Sequence, residues 1–221
     1  MYDRVKMWLK AARVLGLAML VSAAGLQMAH AGRHIKLVAL GDSLTAGLGL
    51  AADQAFPRRL EIALSKRLAT SGVTVEIANA GVSGDTAGDG LARLDWSVPD
   101  GTDGVILALG ANDMLRGLDP ATTAKTLEKI VSALESRHIQ VLLAGMEAPG
   151  NFDQAYRLAF NGIFADIAAR HHLDLYPFLL AGVALDPKLN QDDGLHPNAR
   201  GAEIVADRML DKVLAFIAKL K

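Results

Sequence analysis

The chain has 221 residues, 51% of them hydrophobic and 21% charged, with a formal net charge of −1 and no cysteine. That composition suits one globular domain with a substantial core, not a disordered or fibrous chain. No dense Lys/Arg block marks a nucleic-acid footprint, and the lack of cysteine excludes thiol nucleophiles, disulfides and cysteine-held zinc or iron–sulfur sites.

Residues 1–31 differ from the rest. Arg4, Lys6, Lys10 and Arg13 form a basic leader, Val14 to Leu26 is almost wholly apolar, and Ala29 and Ala31 occupy the two positions a signal peptidase reads. The apolar run is shorter than the roughly 20 residues that span a bilayer. The expectation is a signal peptide cut after Ala31 and an exported domain, 32–221, periplasmic or secreted, with no membrane anchor left after cleavage.

From residue 32 onward, short apolar runs alternate with segments of helical period, the pattern of an α/β domain with a parallel sheet. Strands are predicted at 35–40, 73–78, 104–109, 139–144 and 173–177. Each is short and apolar enough to be covered on both faces. Helices are predicted at about 54–70, 85–95, 120–137, 151–171 and 198–220. Asp119 and Pro120 supply a cap and a first-turn proline for the third. In the last, Ile204, Val205, Met209, Val213, Leu214 and Ile217 form one apolar stripe that should dock on the sheet.

Ligands in such a sheet bind beyond the carboxyl ends of the strands, so the loops there carry the functional signal. After the first strand comes GDSLTAG, with Ser43 placed either to cap a helix or to present its hydroxyl to the crevice. Thr45 replaces the second glycine of a G-x-S-x-G elbow, and the glycines lack dinucleotide-binding spacing. After the second strand, Gly84 lies in a glycine-rich loop that is either an ordinary turn or an amide donor. After the third, Asn112 makes either a local turn or a side-chain donor. The stretch QDDGLHPNARG, 191–201, puts Asp193 three residues before His196, with Pro197 disfavouring helix at the histidine. Asp192 is the alternative partner.

Together these residues supply the parts of an acyl-transfer site: Ser43 as nucleophile, His196 as base, Asp193 to orient it, and oxyanion donors from Ser43 N–H, Gly84 N–H and the Asn112 amide. The other histidines read as structural or solvated. None has metal-ligand spacing with a third ligand.

GDSL at 41–44, Gly84 in SGDT, GAND at 110–113 and DGLH at 193–196, with GLARL (90–94) between, resemble the four ordered blocks of the SGNH (GDSL) hydrolases. The resemblance implies a flavodoxin-like three-layer α/β/α fold with a five-stranded parallel sheet, the same triad and oxyanion residues, and neither metal nor organic cofactor. It implies hydrolysis of short- to medium-chain carboxylic esters, aryl esters, acyl thioesters or lysophospholipids. Segments 114–120 and 147–152 resemble a mobile loop and a second wall around the acyl chain. Asp42, Leu115, Leu118 and Pro149 are the expected substrate contacts. Two other readings remain at this stage: an O-acetylesterase of carbohydrate or peptidoglycan, and a non-catalytic exported binding module.

Overall fold

The computed structural model describes residues 32–220, so the signal-peptide reading of 1–31 lies outside the described residues. Five strands form one parallel sheet: β1 (Arg33–Gly41), β2 (Val73–Gly81), β3 (Gly104–Ala108), β4 (Gln140–Ala144) and β5 (Asp174–Tyr176), in the order β2-β1-β3-β4-β5. Each expected strand is present, with its ends shifted by at most three residues.

Between them lie α1 (Ser43–Ala46), α2 (Phe56–Arg67), α3 (Ala87–Ala92), α4 (Leu94–Ser97), α5 (Ala111–Leu115), α6 (Pro120–Ser136), α7 (Gln154–His171) and α8 (Ala199–Ile217). The short helices α1 and α5 have no counterpart among the predicted elements. The helix expected over 85–95 is two, broken at Arg93, which ends α3 with φ −105° and ψ 9°. Asp119 caps α6 as predicted, accepting from Ala121 N at 3.0 Å.

Strand progression reverses after β2, and right-handed crossovers then place helices on opposite faces of the sheet. Helix α8 packs on α2, and α6 packs on α3 and α7. The result is a three-layer α/β/α sandwich of flavodoxin-like order. Val205, Met209, Val213 and Ile217 of the expected α8 stripe are buried, while Ile204 and Leu214 lie half-buried at its margins.

Burial corrects one expectation. The inner strands β3 and β4 are buried on both faces apart from Gln140, whereas β2 alternates, with Val75 and Ile77 inside and Thr74, Glu76 and Ala78 exposed. β5 is half-buried throughout. These are the sheet edges, where only one flank is covered by a neighbour and polar side chains also discourage edge-to-edge pairing.

Register brings the functional loops to one level. Gly41 pairs with Gly81 on one side and with Ala108 on the other, so β1, β2 and β3 release their chains side by side. The order reverses at β1/β3, and there a crevice opens. Ser43 follows β1 and Asn112 follows β3.

Candidate active site

The turn from β1 into α1 is forced by its first residue. A Cβ on Gly41 would lie 2.0 Å from Thr45 Oγ1 and 2.7 Å from Ala108 O, so only glycine fits. Asp42 then caps α1, its Oδ1 accepting from Leu44 N at 3.0 Å. Ser43 is the first residue of α1, buried except for a small opening to the crevice.

Ser43 Oγ lies 2.9 Å from His196 Nε2, although 153 residues separate them. His196 Nδ1 lies 2.6 Å from Asp193 Oδ2. The same carboxylate accepts from His196 N at 3.0 Å and Leu195 N at 2.9 Å through Oδ1. The backbone N–H of His196 first, then its ring and Leu195 N–H, hold the Asp193 carboxyl down at about 2. Ionised, it only accepts, so Nδ1 of a neutral His196 carries the ring proton and Nε2 is free to take one from Ser43. Asp192 makes none of these contacts; Asp193 is the partner.

The histidine loop is anchored beside α1. Gln191 N donates to His196 O at 2.8 Å, and Gln191 Nε2 donates to Leu48 O at 2.7 Å and Pro197 O at 3.0 Å. Gly194 turns the loop with φ +71°.

On the other side of Ser43, Asn112 Nδ2 donates to Asp85 O at 3.0 Å. Its amide has two N–H bonds, so a second remains for a ligand. Gly84 has φ +89°, a conformation that side chains resist, and its carbonyl accepts from Arg116 Nη2 at 2.6 Å. Gly84 does not line the groove that holds Ser43; it is joined to Asn112 through the next peptide.

That groove has a volume of about 230 Å3 and is mostly apolar. Ser43, Asn112 and His196 meet there with Leu115, Met146 and Pro149. Leu185 and Leu195 form part of its mouth and are largely exposed. Of the expected contacts, Leu115 and Pro149 line this groove, as does Ala111 beside Asn112.

Two expected substrate contacts are not where they were anticipated. Asp42 has 0% exposure, because its carboxyl turns inward to cap α1. Burial pushes that carboxyl up to about 6 despite the Leu44 N–H, and its Oδ2 is unpartnered. Leu118 lies outside the groove lining, where its carbonyl accepts from Tyr156 Oη at 3.0 Å. That contact also ties segment 114–120 to α7.

Sequence reasoning missed the part-buried Asp85–Arg93 pair, Nε to Oδ2 at 2.6 Å. The only hint was the GLARL block, which gives no partner. Among the described residues no group of three or more His, Asp or Glu side chains is arranged to hold a metal ion, and no helix is long and apolar enough to cross a membrane.

The model of the GDSL-like lipase/acylhydrolase family matches residues 39–204. The chain is 36% identical over 180 residues to an arylesterase of Vibrio mimicus, covering 79% of this chain and 88% of that protein. It is 35% identical over 174 residues to thioesterase 1/protease 1/lysophospholipase L1 of Escherichia coli, covering 78% and 80%. The crystal structure of AlinE4, an SGNH-hydrolase family esterase, superposes with a TM-score of 0.68 at 40% identity, covering 84% of this chain and 98% of that one. The family model takes in the four sequence blocks and the loops that hold Ser43, Asn112 and His196, and with these relatives it shows that the chain belongs to the GDSL-like lipase/acylhydrolase family and is a carboxylic ester hydrolase.

Proposed function

We propose that Ser43 is the nucleophile of this esterase, with His196 as general base and acid, Asp193 orienting the imidazole, and Ser43 N–H, Gly84 N–H and the Asn112 amide binding the oxyanion. The substrates are short- to medium-chain carboxylic esters and acyl thioesters, including aryl esters and lysophospholipids. The observation that carries this reading is the unbroken line Asp193–His196–Ser43, with contacts of 2.6 and 2.9 Å, opening onto an apolar groove.

In the first step Ser43 Oγ adds to the carbonyl carbon while its proton passes to His196 Nε2. The imidazolium so formed is stabilised by Asp193. The carbonyl oxygen becomes an anion at the N-terminus of α1 and is bound by the three donors. Collapse expels the alcohol or thiol, which takes the proton from His196, and leaves an acyl-serine. Water, deprotonated by the same Nε2, repeats the sequence and releases the acid. The apolar wall gives the acyl chain a place to leave water, worth about 0.8 kcal/mol per buried methylene.

Residues 1–31 act as a cleaved export signal in this reading. The basic leader, short apolar run and Ala29/Ala31 pair support it.

The test is hydrolysis of p-nitrophenyl esters from acetate to laurate by residues 32–221, with Ser43→Ala alongside. Turnover that peaks at a medium chain and disappears in Ser43→Ala is expected. Residual turnover in a folded Ser43→Ala at more than a percent of wild type would sink the nucleophile assignment, and a maximum at acetate would point to a deacetylase.

A further inference from the structure

We propose that Arg93 is a positioning residue that sets the separation between the nucleophile turn and the oxyanion donors; this rests on the roles given above to Ser43, Gly84 and Asn112. Its guanidinium reaches three different segments. Nη2 donates to Gly41 O at 2.9 Å, Nε to Asp85 Oδ2 at 2.6 Å, and Nη1 to Ser97 Oγ at 2.7 Å. Gly41 lies two residues before Ser43, and Asp85 directly follows Gly84.

The line of contacts continues. Gly41 O also accepts from Val82 N at 3.0 Å, which fastens the start of the Gly84 loop to the end of β1. Asp85 O accepts the Asn112 amide at 3.0 Å. Arg93 thus stands between the segment that carries the nucleophile and the residue whose two neighbours in space, Gly84 and Asn112, supply the other donors. It also sits at the break between α3 and α4, so its backbone is fixed at a helix end while its side chain crosses back under the crevice.

The chemistry favours arginine for this task. Three acceptors in three directions call for a planar fork of fixed geometry, which a single ammonium on a flexible stem does not supply. Side-chain exposures of 14% for Arg93 and 12% for Asp85 place the pair in a partly dehydrated site, where hydrogen bonds to charged groups are strong and displacement is resisted. Oxyanion donors act only within a few tenths of an ångström of their best position, and a shift of about 1 Å can cost on the order of 10²-fold in rate.

A double-mutant cycle separates positioning from mere stability. Wild type, Arg93→Lys, Asn112→Ala and the double variant are compared for kcat and KM on one p-nitrophenyl ester, with Ser43→Ala as a control and near-UV circular dichroism to verify folding. Arg93→Lys is expected to lower kcat by on the order of 10- to 10²-fold with KM changed less than about twofold, and to cost less than about threefold once Asn112 is already alanine. Losses that multiply, or a wild-type kcat in Arg93→Lys, overturn the proposal. If Arg93→Lys does not fold, the cycle is run with Asp85→Asn, which keeps the Asp85 carbonyl while weakening the link; non-additivity with Asn112→Ala supports the proposal and multiplication overturns it. The control tells the two failures apart: turnover in Ser43→Ala removes the nucleophile assignment and the Arg93 proposal with it, whereas an inert Ser43→Ala with multiplying losses removes Arg93 alone.

Discussion

The two sides of Ser43 are built by different means. On the histidine side the contacts that orient the imidazole are local: Asp193 reaches His196 across three residues and is held by backbone N–H groups of its own loop, with almost half of its side chain in water. On the amide side the contacts reach between segments: Asn112, Asp85, Arg93 and Gly41 come from four segments joined through a part-buried ion pair. A site can therefore orient its imidazole within one loop, while its amide donors need the frame of the whole sheet. Placing charge-stabilising donors is a matter of separation between segments, whereas placing a carboxylate against an imidazole is a matter of one turn.

Substitutions can break or sharpen this contrast. The largest effect is expected at Asp193. Asp193→Asn should lower kcat by on the order of 10³- to 10⁴-fold, because the amide can no longer select the tautomer with a free Nε2. Its melting temperature should barely move, because the carboxylate is half exposed. A fall in kcat of less than tenfold would show that the loop orients His196 unaided. Since the Asp193 carboxyl is held at about 2, its protonation should not be what limits activity as pH falls through 5 and 4.

Next in size, Asn112→Ala should lower kcat by on the order of 10²- to 10³-fold with little change in KM, the signature of an interaction made in the transition state. An unchanged kcat in the folded variant would remove Asn112 from the oxyanion site. Smaller again is Gly84→Ala. A Cβ there meets nothing nearer than Arg116 Nη2 at 3.9 Å, so the change tests backbone conformation alone. Holding alanine at φ +89° costs about 1–2 kcal/mol, and a tilt of the amide should lower kcat by roughly tenfold.

The smallest effect belongs to Asp42, which caps the helix shared by both sides. Its folded carboxyl titrates near 6, above the ordinary value of about 4, so the folded state binds the proton more tightly and wild-type stability falls as pH rises from about 4 to about 6. Asn keeps the cap and does not titrate. The melting temperature of Asp42→Asn relative to wild type should rise by a few degrees over that window and level off above it. A difference independent of pH would show that Asp42 is not held protonated by burial.

The same contrast explains what was legible in the sequence. All five strands followed from apolar runs, though their order in the sheet did not, and Asp193 with His196 could be read from a single turn, since three-residue spacing is a local property. Ser43 and Asn112 were found because both follow strand ends. Arg93 and Asp85 could not be paired, because their contact depends on a break in a helix that periodicity predicts to be continuous. Asp42 was misread for a related reason: a carboxylate beside a nucleophile looks like a substrate contact until the cap of a four-residue helix turns it inward. Leu118 was misplaced because Tyr156, 38 residues away, holds its carbonyl away from the groove. The polar alternation of β2 was visible in Thr74 and Glu76, yet edge position follows only from the strand order.

The contact between Ser43 and His196 spans 153 residues, nearly the whole folded body. During synthesis, therefore, Ser43 leaves the ribosome well before His196 is made. With the roles proposed for Ser43 and His196, hydrolysis becomes possible only when the segment before α8 has emerged. Completion of the chain acts as a timer on its own reactivity, and a product ended near residue 185 would carry an intact serine with no means of turning it on its surroundings.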